Sequence, residues 1–238
     1  MIKAIFFDLD NTLWDHDKAQ RRTIERVYEY LIQLHPIPDD QDTFARIYDG
    51  CNAKVWDAYK KGELKHEEVR INRFIDLLGR YNIADRDLAI TLNELYLSIY
   101  PTWTFLVEGA KELLDELTER YPLGIITNGF SETQVMKIDR SGLKQYFKWI
   151  VYSGEVGKAK PHPEIFAYAM NQAHILHEEA LFIGDDFGAD IIGAKDAGMK
   201  TIWFNSKGKE EPEKDQYADY TVSSLKEISD IVKSLESC

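Results

Sequence analysis

Two aspartates separated by one residue follow the first apolar segment of the chain. Residues 4–7 (AIFF) have the length and composition of a buried β-strand, and Asp8 and Asp10 come after it. Because side chains alternate along an extended backbone, the two carboxylates face the same side. Neighbouring acids repel each other unless one is protonated or a cation lies between them. The pair therefore indicates proton chemistry or a metal site, although a strand that ends in an acidic turn would read the same way.

Polar residues also follow three later apolar segments. The first of these segments is followed by Thr127, Asn128 and Gly129, and the second by a single lysine, Lys160. The third is followed by a group of acids, Asp185, Asp186 and Asp190. The loops at the carboxyl ends of parallel strands form a common ligand crevice. Hard oxygen ligands without His or Cys favour Mg²⁺, which shares its coordination with phosphate oxygens. The combination predicts phosphoryl transfer to a side chain, with the hydroxyl, backbone N–H groups and ammonium binding the phosphate.

Apolar strands and helices alternate in the part of the chain that carries these residues. The predicted strands are 4–7, 123–126, 149–152, 180–183 and 201–204, with an edge strand at 220–222. This alternation predicts an α/β core with a parallel, doubly wound, Rossmann-like sheet, formed by residues 1–14 and 104–238. Ser131 and Gln134 spell a capping box for one helix, a second helix is expected from Ala189 to Gly198, and residues 210–216 read as a charged loop.

Residues 15–103 have a different pattern. Four amphipathic segments, at about 17–34, 40–62, 66–78 and 85–99, carry apolar residues at helical spacing, and no strand is predicted among them. Four such helices are enough for a small bundle. We therefore expect an α-helical domain inserted after the first strand.

Composition limits the partners. The 238-residue chain is 44% hydrophobic and has a formal net charge of −12, with no basic stripe. Such a charge repels nucleic acids and anionic lipids, so we expect a small-molecule partner, no nucleic acid and no membrane, and any anionic substrate would need a local cation. No long apolar run or export signal is apparent, and Cys51 and Cys238 show no metal or disulfide spacing. These features predict a cytoplasmic protein and leave the oligomeric state open.

The ordered motifs resemble those of the haloacid dehalogenase (HAD) superfamily. They are residues 8–12 (DLDNT), 126–129 (ITNG), 160–161 (KP) and 184–190 (GDDFGAD), each after a predicted strand. The helical insertion resembles the C1 cap of one branch. Residues 59–64, 73–74, 125–130 and 153–161 are similar to a subgroup that contains pyrimidine 5′-nucleotidases and N-acylneuraminate 9-phosphatases. The resemblance implies a phosphatase of nucleoside 5′-monophosphates or sugar phosphates.

The resemblance also implies a role for each motif residue. Asp8 would be the nucleophile that forms an aspartyl-phosphate, Asp10 the acid and base, and Lys160 the charge between nucleophile and phosphate. The phosphate would be bound by Thr127, Asn128 and Gly129. The Mg²⁺ site would contain the Asp8 carboxylate, the Asp10 carbonyl, the Asp185 carboxylate and Asp190, which orients Lys160 or a metal-bound water.

Two other activities use similar residues. A sugar-phosphate mutase has the same acid pair, but the cap lacks the Arg/Ser-rich signature associated with mutases. A non-catalytic phosphate sensor, similar to receiver domains, would gain nothing from Asp10, which promotes loss of the phosphate. Dehalogenases lack an acid two residues after the nucleophile, so Asp10 favours phosphate esters.

Four residues near the motifs have structural as well as functional interpretations. Asp186 stands where many relatives have Ser, Asn or Thr, and it is also the kind of acid that favours a helix N-terminus. His162 lies between two prolines, and a structural or exposed role is expected of it. Trp14 and Phe130 adjoin motif residues and are candidates for contact with a substrate ring, although aromatic residues at strand ends more often belong to the core.

Overall fold

The chain outside the predicted helical insertion forms a parallel sheet of six strands in the computed structural model, which describes residues 1–236. The strands are β1 (Ala4–Phe7), β2 (Leu123–Thr127), β3 (Phe147–Tyr152), β4 (Ala180–Gly184), β5 (Lys200–Phe204) and β6 (Tyr220–Val222). Their order is β3-β2-β1-β4-β5-β6, and each neighbouring pair is parallel. The predicted parallel α/β fold is confirmed.

The strand order reverses direction between β1 and β4. From β1 the chain builds outward through β2 to β3, and it then returns to the other side of β1 to add β4, β5 and β6. Strands β1 and β4 remain paired to their carboxyl ends, where the Asp8 backbone N–H donates to the Ile183 carbonyl at 2.9 Å. A crevice opens at such a switch point in α/β sheets, beyond the carboxyl ends of the strands. The fold thus positions Asp8 and Asp185, which follow β1 and β4, beside this crevice.

Contacts between residues divide the chain into two compact units, one of Met1–His16 and the chain from Thr104 onward, the other of Asp17–Trp103. The second unit is helical and contains α1 (His16–Leu31, whose first residue belongs to the other unit), α2 (Gln41–Lys60), α3 (His66–Arg80) and α4 (Arg86–Ile99). Asp40 and Asp85 cap α2 and α4 through their side chains. Aromatic rings fill the interior, where Tyr48 packs against Phe74 and Tyr96.

The remaining helices belong to the unit that contains the sheet. They are α5 (Ala110–Thr118), α6 (Ser131–Arg140), α7 (Ser153–Val156), α8 (Pro163–Ala173), α9 (Gly193–Asp196), α10 (Lys214–Tyr217) and α11 (Lys226–Glu236). Every residue of β1, β2 and β4 is buried, as expected for strands covered on both faces. None of the helices in the described part of the chain combines the length and apolarity that a membrane crossing needs. Cys51 is a buried free thiol, and Cys238 lies outside the described residues.

Three local predictions differ from the structure. The capping box is wrong, because Ser131 is already the first helical residue and Phe130 occupies the N-cap position without a side-chain cap bond. The segment predicted as a charged loop ends within a helical turn, α10. The helix expected from Ala189 begins earlier as a π-helical segment, Phe187–Ile192, in which the Ile191 N–H donates to the Asp186 carbonyl. This wider turn brings Asp190 to the end of β4.

A buried ring on α8 should stabilise the sheet unit far more than an exposed ring on the same helix. Phe166 is fully buried and packs edge-on against Phe182 of β4, with ring centroids 5.6 Å apart, whereas Tyr168 is 40% exposed. We expect Phe166→Ala to lower the free energy of unfolding by about 3–5 kcal/mol. Tyr168→Ala should change it by no more than about 0.5 kcal/mol. Urea unfolding followed by circular dichroism measures both, and equal losses would contradict this account of the core.

Candidate active site

Three carboxylates, two buried and one half-buried, meet at the carboxyl ends of β1 and β4. Asp8 follows β1, Asp185 follows β4 and Asp190 lies in the π-helical segment, and one oxygen from each lies within 4.8 Å of the others. Burial raises the pKa of Asp185 to about 7, and the nearby Asp190 adds to the shift. Burial likewise raises the pKa of Asp8 well above its ordinary value, and neighbouring acids add to that effect while Lys160 opposes it.

The carboxylate cluster fits a divalent cation. Its donors are hard oxygens, the kind of ligand that Mg²⁺ prefers. Each raised pKa records a cost of keeping negative charge together away from water, and a bound cation would remove much of that cost. The residues present thus match the predicted metal.

Lys160 joins two of these acids. Its Nζ lies 2.7 Å from Asp8 Oδ1 and 2.6 Å from Asp190 Oδ1, and its side chain is only 2% exposed. Burial alone would lower the pKa of Lys160, but the charges of Asp190 and Asp8 outweigh it and raise the pKa above its ordinary value. Lys160 is therefore a charged ammonium that bridges the end of β1 and the π-helical segment.

The side chain of Asn128 fixes the backbone of this lysine. Asn128 Nδ2 donates to the Lys160 carbonyl at 2.9 Å, and the Lys160 backbone N–H donates to Asn128 Oδ1 at 2.7 Å. The Ser153 hydroxyl donates to the Asn128 carbonyl at 3.3 Å. Sequence reasoning considered only the backbone N–H of Asn128. Its side chain joins the loop after β2 to the loop that follows β3.

Asp10 is held by two residues of α6 that sequence reasoning missed. Lys137 Nζ donates to Asp10 Oδ1 at 2.7 Å, and Gln134 Nε2 donates to Asp10 Oδ2 at 2.8 Å. Gln134 and Lys137 are buried, whereas the apolar Val135 and Met136 beside them are 40% and 39% exposed. This inverted pattern, with polar residues three apart on the buried face, is seen only in the structure, because the sequence favours burial of the apolar residues.

The two charges of the Asp10–Lys137 pair affect each other in opposite ways. Burial would raise the pKa of Asp10, but the charges of Lys137 and His16 and the hydrogen bonds from Lys137 and Gln134 bring it below its ordinary value. Burial lowers the pKa of Lys137, although Asp10 partly opposes that shift. Asp10 therefore favours its ionised form more than an ordinary aspartate does.

Thr127 ends β2 beside the same residues. Its buried Oγ1 accepts hydrogen bonds from Gln134 Nε2 at 2.7 Å and from the Gly129 backbone N–H at 3.1 Å. A hydroxyl that accepts two bonds still has its own proton to donate. A Cβ at Gly129 would overlap the Gln134 side chain, so glycine is required here for the close approach of α6.

The four residues near the motifs that had both a structural and a functional interpretation occupy helix caps or the core. The Asp186 carboxylate accepts from the Ala189 backbone N–H at 3.0 Å, which caps the π-helical segment, and its own N–H donates to Asp190 Oδ2 at 3.1 Å. His162 occupies the N-cap position of α8. Trp14 is fully buried in the core, and Phe130 is partly exposed at the N-cap of α6.

Comparison with known proteins gives one family. The model of the haloacid dehalogenase-like hydrolases matches residues 2–198. Pyrimidine 5′-nucleotidase YjjG of Escherichia coli is 33% identical over 96% of both chains. Human N-acylneuraminate-9-phosphatase is 29% identical over 99% of this chain and 95% of its own. Both belong to the subgroup that the sequence resembles.

A solved structure of a relative agrees with the fold. HAD-hydrolase YfnB of Bacillus subtilis superposes with a TM-score of 0.86, at 30% identity, over 98% of this chain and 99% of its own. That crystal structure is described as bound to magnesium and as revealing interdomain movement. The agreement extends over both the sheet unit and the helical unit.

A glycine at the end of β4 should be essential for the position of Asp190. A Cβ at Gly184 would overlap the Asp190 carboxylate, whereas one at Gly188 would meet only Asp186 Oδ1, at 3.6 Å. We expect Gly184→Ala to displace Asp190 from Lys160 and to lower the free energy of unfolding by about 1–3 kcal/mol. Gly188→Ala is the matched control and should change it by no more than about 0.5 kcal/mol. Urea unfolding without added metal measures both, and an unaffected Gly184→Ala protein would refute this packing.

Proposed function

Because the chain belongs to the haloacid dehalogenase-like hydrolases and its relatives include phosphatases and a nucleotidase, we propose that it is a Mg²⁺-dependent phosphatase of small phosphate monoesters. One observation supports this most strongly. A buried carboxylate, Asp8, lies against the ammonium of Lys160, and a second acid, Asp10, follows two residues later. A nucleophile and an acid/base so placed suit transfer of a phosphoryl group to a side chain and its later release.

In the first proposed step, an oxygen of the Asp8 carboxylate attacks phosphorus. The bond between phosphorus and the leaving oxygen breaks, and Asp10, protonated at that stage, gives its proton to the leaving alkoxide. The products are the alcohol and an aspartyl-phosphate on Asp8. Lys160 lies 2.7 Å from the nucleophile and offsets negative charge there.

In the second step, Asp10 acts in its ionised form. It accepts a proton from a water that attacks phosphorus, the bond to Asp8 breaks, and inorganic phosphate is released. The lowered pKa of Asp10, which results from Lys137 and its other polar neighbours outweighing burial, favours the ionised form that this step needs.

The phosphate and the cation have separate groups of residues in this proposal. The Thr127 hydroxyl and the backbone N–H groups of Asn128 and Gly129 bind phosphate oxygens, although the Gly129 N–H must exchange its bond to Thr127 for that purpose. Mg²⁺ would be held by Asp8, the Asp10 carbonyl and Asp185, with Asp190 completing the site as it positions Lys160. When bound, Mg²⁺ neutralises charge on the phosphate and the acids.

The helical unit is proposed to be a cap that determines which ester is hydrolysed. The residues of the sheet unit named above act only on groups that every phosphate ester shares, so discrimination needs another source. We propose a nucleoside 5′-monophosphate as the substrate, with a sugar phosphate as the second choice, on the strength of the similarity to the Escherichia coli nucleotidase. The interdomain movement of YfnB is consistent with a cap that opens and closes.

The net charge of −12 favours small molecules over nucleic acids, and we propose that the protein acts in the cytoplasm.

The activity itself is tested with a panel of substrates and metals. We expect hydrolysis of nucleoside 5′-monophosphates, and more slowly of sugar phosphates and p-nitrophenyl phosphate, in Mg²⁺, and loss of that activity in excess EDTA. Released inorganic phosphate is the measurement, and the Asp8→Asn protein, which lacks the proposed nucleophile, serves as the negative control. Full activity in EDTA, with no metal detected by elemental analysis, would contradict the proposal.

Substitution of Asp8 and of Asp10 by Asn should affect the phosphorylated intermediate in different ways. Asp8→Asn removes the nucleophile, so no phosphorylated enzyme should form and activity should disappear. Asp10→Asn should slow both formation and breakdown of the intermediate, each by about 10²–10⁴-fold. Acid quenching followed by mass spectrometry of peptides locates the phosphate, and phosphate found on Asp10 rather than Asp8 would reverse the assignment.

A further inference from the structure

Lys137 is a buried cation to which the mechanism above assigns only an effect on the pKa of Asp10. Its side chain is 3% exposed, and its Nζ lies 2.7 Å from Asp10 Oδ1 and 4.3 Å from the centre of the Trp14 ring. Removing an ammonium from water is costly, and burial indeed lowers its pKa. Packing alone would be better served by an apolar residue, as at Ile138, the next position of α6, which is also buried.

The contacts of Lys137 and Gln134 occupy both oxygens of Asp10. Lys137 donates to Oδ1 and Gln134 to Oδ2, so the plane of the carboxylate is fixed by two donors one helical turn apart. One lone pair of each oxygen is left for a proton. Gln134 Nε2 also donates to Thr127 Oγ1 at 2.7 Å, which links Asp10 to the hydroxyl proposed to bind phosphate.

We propose that Lys137 and Gln134 are positioning residues that hold the Asp10 carboxylate in the single orientation from which it protonates the leaving group. The inference rests on the proposed function and deepens it. The cation and the amide act only through Asp10 and Thr127, and neither touches the reacting atoms. Their effect is geometric, because a proton donor works only within hydrogen-bond reach of its acceptor.

This role predicts a dependence on the leaving group that general damage to the protein would not produce. An alkoxide leaves only when it is protonated, whereas p-nitrophenolate is a stable anion that leaves without a proton. A misplaced Asp10 therefore harms hydrolysis of an alkyl phosphate much more than hydrolysis of p-nitrophenyl phosphate. A change in folding or in phosphate binding harms both esters equally.

The test compares Lys137→Met with Arg140→Met. Both remove a cation from the last turn of α6, but Arg140 is exposed. For each Mg²⁺-loaded protein, kcat/KM is measured on an alkyl phosphate and on p-nitrophenyl phosphate. We expect Lys137→Met to lower the alkyl value about 10–100-fold more than the aryl value, within the range of general acid catalysis. The ratio should stay at its wild-type value in Arg140→Met and should be largely restored in Lys137→Arg.

Crystal structures give a second measurement that needs no activity. The Asp10 carboxylate should leave its wild-type rotamer in Lys137→Met and keep it in Arg140→Met. The inference would be overturned if Lys137→Met kept both the wild-type rotamer of Asp10 and the wild-type ratio of kcat/KM on the alkyl phosphate to kcat/KM on p-nitrophenyl phosphate. If Lys137→Met does not fold, Gln134→Met is measured in the same way, because it removes the donor to Oδ2 and keeps the charge. If the wild-type protein hydrolyses neither ester, the proposed function fails, and the crystal structures alone decide whether Lys137 and Gln134 position Asp10.

Discussion

Compensation of buried charge is the constraint on which the rest of this structure depends. Asp8 and Asp190 share the ammonium of Lys160, and Asp10 pairs with Lys137. Buried carboxylates without such partners would be protonated, and protonated acids are neither nucleophiles nor metal ligands. The pKa of Asp185 is raised to about 7, first by burial and second by the charge of Asp190, and a bound cation would offset both effects. The sheet brings these charges together because its strands end at a common edge.

Much of the fold could be predicted from the sequence because the signals are local. Short apolar runs and helical spacing identify strands and helices, and Pro and Gly separate them. The order of the strands cannot be read from such patterns, although the rule that ligands lie beyond the carboxyl ends of parallel strands still places Asp8, Lys160 and Asp185 near one another. Their observed proximity agrees with that expectation, whereas their chemical roles remain proposals.

The second layer of the site could not be predicted in this way. The spelling of a capping box at Ser131 and Gln134 is local, but the partners of Gln134 lie more than a hundred positions away at Asp10, and seven away at Thr127. The Gln134 Nε2 group makes tertiary hydrogen bonds instead of a local cap, because a buried N–H donor without an acceptor is costly. For Lys137 the sequence shows a cation among other helix residues, and only the fold reveals that its side chain faces an acid. Long-range contacts of this kind leave little trace in one sequence.

The paired hydrogen bonds between Asn128 and the Lys160 backbone make two distant loops behave as one piece. The loop after β2 carries groups suited to phosphate, and the other loop carries the cation beside Asp8. Because these hydrogen bonds join the two loops, the distance between the groups after β2 and the ammonium is set when the protein folds. A charge that is already in place needs no reorganisation when negative charge shifts during a reaction, whereas water dipoles would have to turn. The two hydrogen bonds of Asn128 thus fix the spacing of these polar and charged groups as part of the fold.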